Sequence, residues 1–280
     1  MIDPEVPPND GAYRPIHINI PEGSLLHSHF PHAVVQANII TSPRIADVLI
    51  GALLQALPER GIAACHGTIN ILNICGMDTK SGRIFNYIET YGGGQGAMQN
   101  QDGMDGVHSH MSNTRNAPVE VIECTYPLQV LRYGLVPDSE GPGKFRGGMG
   151  MMREFLALED DLTLTLGSDR EKIQPWGVYG GKGGRNSESA ITHDGKENRI
   201  PSKITTRIRK GDRYITVTPG GGGWGDPYER DPEKVRWDVS EGLVSIERAK
   251  TEYGVVLKGD SLEIDDEAAR ICRNRKESKR

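Results

Sequence analysis

The sequence is poor in cysteine, which excludes two classes of small structured protein. Its 280 residues include four cysteines and no CxxC pair. Disulfide-stapled secreted domains and structural zinc sites need denser or more regular cysteine spacing. We therefore predict reduced thiols and a cytoplasmic location. The four cysteines are Cys65, Cys75, Cys124 and Cys272.

Long apolar runs and long basic blocks are also missing. No apolar run approaches the roughly 20 residues that a membrane-spanning helix needs, and no hydrophobic signal region precedes the cysteines. The net charge is −5, and the only basic tail, residues 273–280, also carries Glu277. These features predict a protein with no nucleic-acid partner and no membrane partner.

Glycine is in excess. The chain has 35 glycines in 280 residues, nearly twice the usual share of roughly 7%. They fall in bursts without a period, which excludes a collagen-like helix and a simple linker. Such bursts predict tight turns and backbone packed closely against a ligand or another chain. The bursts lie at residues 92–94, 147–150, 180–184 and 220–223.

The hydrophobic pattern predicts an α+β fold. We expect antiparallel β-rich sheets joined by glycine-rich loops, one amphipathic helix near the N-terminus and a small helical appendix at the C-terminus. The change in pattern after Gly225 divides the chain into a β-rich part, residues 1–225, and a helical part, residues 226–280.

The clearest helix is predicted at residues 42–57. Ser42 suits the N-cap, Pro43 suits the first helical position, and Pro58 ends the segment. We expect this helix to pack on a sheet and to carry no chemistry. Its apolar residues recur at helical spacing. They are Ile45, Val48, Leu49, Ala52, Leu53, Ala56 and Leu57.

Several segments alternate or run apolar in the manner of strands. We predict strands at residues 15–20 and 84–88, a strand-like VEVIE at 119–123, and antiparallel strands from Tyr126 onwards. A hairpin is predicted around the turn at residues 210–212. Beyond Gly225, we predict helices that begin after Asp231 and Ser245, the second ended by Gly254, and a last helix at 264–275.

A polar stretch at residues 105–120, DGVHSHMSNTRNAPVE, is the strongest candidate for a site. It is too polar for a core and too patterned for a solvated linker. His108 and His110 are two residues apart, so on an extended segment they face the same side. Asn113, Arg115 and Asn116 supply amide and guanidinium donors that hold a carbonyl or carboxylate.

The role of the two histidines is left open by the residues alone. They suit two metal ligands, two groups facing one substrate, or hydrogen bonds within a buried loop. A catalytic metal needs about three protein ligands, and the third is not evident locally. Candidates for it are His66, Asp102, Asp105 and Glu120.

Two other motifs carry weaker hypotheses. The cluster HSHFPH contains His27, His29 and His32, but its prolines and turn context give no defined metal geometry. The strand at 84–88 leads into the glycines at 92–96, as in phosphate-binding loops. No lysine followed by a hydroxyl residue comes after those glycines, so a close-packed turn beside the site is the preferred interpretation.

Four long runs then resemble one family. HSHMSNTRNAPVEVIE, YPLQVLRYGLVPDSEGPGKFRGGMGMMREF, SDREKIQPWGVYGGKGG and the run from PSKITTR to TEYGV occur in this order. They are similar to the hydantoinase B/oxoprolinase family, and the likeness extends over about residues 18–257. That family includes B subunits of ATP-dependent hydantoinases, the matching half of 5-oxoprolinase, and alpha subunits of acetone and acetophenone carboxylases.

The resemblance implies an ATP-dependent enzyme with a partner. It implies a hydrolase that opens a hydantoin or 5-oxoproline type ring, with ATP bound by an A-type subunit. The alternatives are a subunit of an ATP-dependent ketone carboxylase and a non-catalytic assembly piece. The candidate catalytic residues are His108, His110 and Arg115, and the candidate substrate-binding residues are Asp105, Asn113, Asn116 and Glu120.

One departure from the family shapes the remaining expectations. The chain resembles only the C-terminal half of the family's B-type subunits, and the Asp/His motifs of the N-terminal half have no match in it. We therefore expect the missing half as a second partner and inactivity without partner polypeptides. Any divalent metal (Mn, Mg or Zn) would have its ligands mainly outside this chain. The start at Met1 favours a cut within a longer ancestral chain.

Overall fold

The computed structural model describes residues 5–7 and 9–277, and it confirms the predicted α+β class. All strand pairs in this part of the chain are antiparallel. One sheet has four strands in the order β2-β1-β5-β8. These strands are β1 (Ile71–Asp78), β2 (Arg83–Thr90), β5 (Leu162–Gly167) and β8 (Lys203–Ile208).

A second sheet has five strands in the order β3-β4-β9-β6-β7. They are β3 (Leu128–Leu135), β4 (Met151–Ala157), β6 (Glu188–His193), β7 (Lys196–Arg199) and β9 (Arg213–Val217). A short ribbon joins β10 (Leu257–Lys258) to β11 (Glu263–Ile264). The main core lies between the two larger sheets, because Leu72 and Ile74 of the first pack in one cluster with Phe155 and Tyr214 of the second.

The predicted hairpin around residues 210–212 is wrong, although the turn itself is present. β8 pairs with β5, whereas β9 pairs with β4 and β6, so the two strands belong to different sheets. Ile208 and Tyr214 on either side of the turn enter the same core from opposite sheets. The turn is therefore a corner between two packed sheets, which local alternation does not distinguish from a hairpin.

Two other predicted strands are also wrong. Residues 119–123 lie in a helix, α3 (Val119–Thr125), in which only Ile122 is buried. Pro118 stands at its N-cap position, which suits the start of a helix better than the middle of a strand. Residues 15–20 follow a short helix, α1 (Asp10–Tyr13), and form no strand; their side chains are exposed.

The N-terminal helix is confirmed, but its packing was predicted wrongly. α2 runs over Ser42–Leu54 and continues a π-helical turn at Ala37–Thr41. Ser42 is thus a helical residue instead of the N-cap, and its hydroxyl donates to the carbonyl of Asn38 at 2.6 Å. The buried residues of α2 are Pro43, Asp47 and Leu54, while the apolar stripe faces outward.

This helical stretch also has the length and composition of a membrane span. Ala37–Leu54 forms 18 residues, of which 17% are buried. The added π-helical turn explains why the sequence pattern alone predicted a shorter segment. The charged residues within it make contacts to the rest of the protein that are described below.

The glycine bursts pack closely, as predicted, but they meet one another in one layer of this chain, whereas the prediction was of packing against a ligand or another chain. Gly94 N donates to Pro219 O, Gly148 N to Gln95 O, and Gly221 N to Gly148 O, all at 2.8–2.9 Å. A Cβ on Gly94 would lie 2.0 Å from the Gly148 carbonyl oxygen. Only glycine lets these backbones approach so closely.

The C-terminal helices are capped as predicted. α4 (Pro232–Ser240) has Asp231 as its N-cap, and α5 (Ile246–Tyr253) begins after Ser245 and ends at Gly254 in the left-handed conformation. A final helix, α6, covers Asp266–Glu277. Val235, Ala249 and Tyr253 form a second core with Met149 of the glycine layer.

Candidate functional site

The polar stretch forms a loop between the glycine layer and α3. Its beginning is fixed to the first glycine burst, because Gly93 and Val107 exchange backbone hydrogen bonds of 2.9 and 2.8 Å. Ser112 then donates to the Ser109 carbonyl oxygen at 2.7 Å and closes a turn. This turn directs His110 toward α2.

His110 is paired with a buried carboxylate of α2. Nε2 of His110 lies 3.1 Å from Oδ1 of Asp47. The contact has the distance of an ion pair, while its angle is not that of a hydrogen bond. The Asp47 side chain is only 5% exposed, so this helix brings a buried charge to the loop, where the sequence pattern predicted only apolar packing.

Two arginines hold the other oxygen of Asp47. Nη2 of Arg170 lies 2.5 Å and Nη1 of Arg44 lies 3.1 Å from Oδ2. Arg44 is itself fixed by donating from Nε to the Gly67 carbonyl oxygen at 2.9 Å. Burial alone would raise the pKa of Asp47, but His110 and the two guanidinium groups lower it below its usual value. Asp47 is therefore a fixed negative charge among three cationic or ionisable groups.

The environment of His110 favours its protonated form. Burial alone would lower the pKa of His110, but the contacts with Asp47 and Cys65 raise it to about 10. Cys65 is buried, and its Sγ accepts from the Gly96 backbone N–H at 3.4 Å. At neutral pH the site thus presents an imidazolium, which can donate a proton or polarise a carbonyl group.

The environments of His66 and His108 favour the neutral form. His66 is fully buried, and neither ring nitrogen has a hydrogen-bond partner among the described residues. Burial first, and then the charges of His108 and Arg44, lower the pKa of His66 to about 3. His108 is half-buried, and burial lowers its pKa as well. Its Nε2 lies 2.8 Å from Oγ1 of Thr114.

Asp47, Cys65 and His110 are close enough to be considered as metal ligands, since one ligand atom from each lies within 4.8 Å of the others. Their surroundings do not fit a divalent cation. Both oxygens of Asp47 already contact cationic groups, and two guanidinium groups lie within 3.1 Å of Oδ2. A cation placed there would be repelled by both arginines. We therefore assign the three residues to an ion-pair cluster.

The remaining predicted site residues occupy two different settings. Asp105 accepts from Arg146 at 2.8 and 3.2 Å and from the Met149 backbone N–H at 2.7 Å, so it joins the ion pairs beneath the loop. Asn116 donates to the Thr90 carbonyl oxygen at 2.8 Å. The others on the loop and α3 are exposed, namely Asn113, Arg115 and Glu120.

Other residues that the sequence suggested as metal ligands are the histidine cluster near the N-terminus and Asp102. His27, His29 and His32 are all exposed, and His29 lies 3.6 Å from Glu22. Asp102 accepts from Arg230 at 2.7 and 2.9 Å. The four cysteines are free.

A cleft of about 600 Å³ opens beside Asp47. Arg44, Asp47 and Arg170 form one wall, Trp176 lies on another side, and Lys172 and Lys203 bring further positive charge. The sequence did not reveal Arg44 and Asp47, because α2 was assigned a buried apolar face. It did not reveal Arg170, because its partner Asp47 lies 123 positions away in the chain. The signal was present: Pro43, Asp47 and Leu54 share the helix face opposite the apolar stripe, where a charge needs a partner.

Comparison with known proteins identifies relatives over nearly the whole chain. The model of the family described as Hydantoinase B/oxoprolinase matches residues 1–227. An uncharacterized protein of Methanocaldococcus jannaschii is 40% identical over 98% of this chain and 48% of its own length. The B-type polypeptide of a putative D-/L-hydantoinase from a Pseudomonas species is 37% identical over 93% of this chain and 44% of its own length.

A solved structure is similar to this chain over the same extent as these relatives. The ATP-dependent caprolactamase from Pseudomonas jessenii is similar with a TM-score of 0.82 and 30% identity, over 98% of this chain and 49% of the caprolactamase chain. The present chain therefore spans about half the length of these three relatives. Because the family model covers far more than half of the 280 residues, the chain belongs to the hydantoinase B/oxoprolinase family.

Proposed function

We propose that this chain forms part of a B-type subunit that opens a cyclic amide at the expense of ATP. The observation that carries this proposal is the similarity to ATP-dependent caprolactamase, at a TM-score of 0.82 over 98% of the chain. That region includes both the histidine loop and α2. The substrate class is a ring of the hydantoin, 5-oxoproline or lactam type.

The site supports acid–base chemistry in this reaction. Two imidazoles lie on one loop, and their pKa values are shifted in opposite directions, upward for His110 and downward for His108. Groups separated in this way suit the roles of acid and base. We assign His108 as the base that accepts a proton from the attacking water. His110 donates a hydrogen bond or proton to the substrate, and Asp47 holds it in the charged form.

The other loop residues take supporting roles in this proposal. Arg115 is exposed at the loop surface and would bind an anionic group of the substrate or its phosphorylated form. Asn113, Asn116 and Glu120 would contribute further polar contacts. Asp105 is held by Arg146, so we propose that it positions the loop and so acts on the substrate indirectly.

ATP and a partner complete the proposed reaction. An A-type subunit would bind ATP and transfer its γ-phosphoryl group to the amide oxygen. Water then adds to the carbonyl carbon as His108 takes its proton, and the C–N bond of the ring breaks as His110 protonates the nitrogen. A second water hydrolyses the resulting acyl phosphate and releases phosphate. The proposal places the protein in the cytoplasm, where ATP is available and thiols stay reduced. Any divalent metal would be held by residues outside the Asp47 cluster.

Reconstitution with an A-type subunit and the remaining part of the B-type subunit tests this function. We expect ATP hydrolysis that depends on hydantoin, 5-oxoproline or caprolactam. His108→Gln and His110→Gln should each lower this turnover by about 10²- to 10⁴-fold. His193→Gln is the matched control, because His193 also pairs with a carboxylate, at 2.6 Å from Asp212.

Two results would contradict the proposal. Equal turnover in the wild type and both loop variants would remove the histidines from the reaction. ATP hydrolysis that depends on bicarbonate and a small ketone, without any response to cyclic amides, would favour the carboxylase alternative.

A further inference from the structure

We propose that the outward face of α2 and the segment before it form a docking surface for another part of the same subunit. The docking surface consists of the α2 residues Ile45, Val48 and Leu49 and the apolar residues of segment 16–35. Its partner is the part of the B-type subunit that corresponds to the stretch of the relatives outside this chain.

The α2 part of this surface is an uncovered apolar stripe. Ile45, Val48 and Leu49 are 40%, 69% and 58% exposed. They lie on adjacent turns, so they form one continuous patch. An amphipathic helix normally turns such a stripe toward a core. Here the opposite face, with Asp47, is buried instead.

The segment before α2 also exposes apolar side chains, although its residues 15–20 form no helix or strand. Ile16, Ile18 and Ile20 alternate with polar residues and are 60%, 81% and 42% exposed. Among the described residues, no strand pairs with residues 15–20. Further apolar side chains of the segment are exposed up to 99%. They are Leu25, Leu26, Phe30, Val34 and Val35.

These two features suit a protein partner. An unpaired alternating segment can add as a strand to the edge of another sheet, with its isoleucines on one face. A contiguous exposed apolar patch marks an interaction site. Residues 15–20 pair with no strand in the described part of this chain. A strand of the partner would explain their alternating pattern.

The length of the relatives identifies the partner. The chain covers 48%, 44% and 49% of the relatives in Methanocaldococcus jannaschii, the Pseudomonas species and Pseudomonas jessenii. In each, the same chain contains a further stretch of similar size beyond the part that this chain matches. The counterpart of that stretch is the partner that the docking surface fits.

A membrane is the competing occupant, and the contacts of α2 disfavour it. The stretch Ala37–Leu54 is long and apolar enough to cross a bilayer. However, Arg44 bonds to Gly67, and Asp47 pairs with Arg170 and His110. Moving this helix into lipid would break the cluster and expose the charges to hydrocarbon.

Docking at this surface would also affect the site, because α2 carries the partner-facing stripe and Asp47 on opposite faces. The inference rests on the proposed function only in assigning the partner to the same subunit. Its readout is backbone protection, which does not depend on turnover, so failure of one proposal is distinguishable from failure of the other.

The test is a chimera in which this chain replaces its 40%-identical counterpart in the Methanocaldococcus jannaschii relative. Amide hydrogen exchange is compared between the chimera and the isolated chain. We expect exchange at residues 16–20 and 42–54 to slow by about tenfold or more in the chimera. Equal exchange at both segments would overturn the proposal.

A second measurement covers the case in which the chimera does not fold. We expect the isolated chain to be a monomer that binds a hydrophobic dye. Val48→Asp combined with Leu49→Asp should lower the dye fluorescence by about twofold or more. Trp237→Asp, at an exposed position of α4, should not lower it.

Two other results would overturn the proposal. A dimer of the isolated chain that the double variant dissociates would show that a second copy occupies the surface. Binding to phosphatidylcholine–phosphatidylglycerol vesicles that the double variant abolishes would overturn it in favour of a membrane.

Discussion

Nε2 of His110 lies 3.1 Å from Oδ1 of Asp47, which joins the candidate catalytic loop to a helix 63 positions earlier in the chain. The same carboxylate holds Arg44 and Arg170. One buried aspartate therefore fixes the charge of the histidine and the position of one wall of the cleft.

Replacing this aspartate should destabilise the fold and lower the pKa of His110. Asp47→Asn leaves the buried Arg170 without its counter-charge, which typically costs about 3–5 kcal/mol in the free energy of unfolding. Urea denaturation measures this loss, and NMR titration of the imidazole measures the pKa.

Asp169→Asn is the matched control, because that carboxylate lies 3.6 Å from Arg44 and is 33% exposed. We expect this variant to lower the free energy of unfolding by no more than about 1 kcal/mol. Equal costs for the two variants would contradict the central role of Asp47.

His66 should make the fold less stable in acid. Its pKa is about 3 in the folded state and 6.5 in the unfolded state, so the unfolded state binds more protons between these values. Stability is therefore lost as the pH falls from 6.5 toward 3. Unfolding free energies measured over this range should show a shallower acid loss in His66→Gln. An identical acid profile in the variant would mean that His66 titrates normally in the folded protein.

His110 should have the opposite effect in alkali. Its folded pKa of about 10 lies above the unfolded value of 6.5, so the folded state binds more protons between them. Its contribution is complete below pH 6.5 and is lost as the pH rises toward 10. His110→Gln should flatten this alkaline loss, and a loss as steep as that of the wild type would contradict the pairing of His110 with Asp47. Denaturation at pH 7, 8 and 9 distinguishes these profiles.

Local signals allowed much of the fold to be predicted. Asp231, Ser245 and Gly254 act within three or four residues of their own positions, so the starts and the end of α4 and α5 could be predicted from sequence. The apolar residues at 84–88 also predicted β2, and the structure shows that Phe85 and Tyr87 face the core. The long glycine-anchored runs predicted the family, which the match over residues 1–227 confirms.

Two of the failures share a different cause, since each depended on a distant contact. The chain at Gly211 turns from one sheet into the other because β8 pairs with β5 and β9 pairs with β4. The helix face that carries Asp47 is buried because Arg170 and His110 meet it there. Neither partner can be identified from spacing, so the sequence predicted the loop of the candidate site but not its counterpart on α2.

The glycine layer predicts a steric penalty at Gly94. A Cβ in Gly94→Ala would lie 2.0 Å from the Gly148 carbonyl oxygen and 2.1 Å from the Gly221 amide nitrogen. Because both contacts are backbone, we expect a loss of about 3 kcal/mol or more, or no folded protein. Gly134→Ala is the control, since a Cβ there meets nothing within 4 Å. Thermal denaturation of the two variants measures the difference, and similar melting temperatures would show that the layer can expand.

Buried ion pairs connect α4 to the base of the loop. Asp238 is 1% exposed and contacts Arg146 at 2.9 Å and Arg230 at 2.8 Å. Arg146 in turn holds Asp105, the first residue of the polar stretch. Asp238→Asn therefore leaves two buried arginines undercompensated, and we expect a loss of about 3–5 kcal/mol.

An exposed pair on the same helix provides the control for this change. Glu233→Gln breaks a contact of 2.7 Å with Arg236, whose side chain is 44% exposed, and should cost about 0–1 kcal/mol. Chemical denaturation compares the two variants. Amide exchange at residues 105–110 provides a second readout, because the loop should exchange faster only in Asp238→Asn if Arg146 transmits the change. Unaltered exchange there would separate the helical part from the candidate site and restrict Asp105 to a local role.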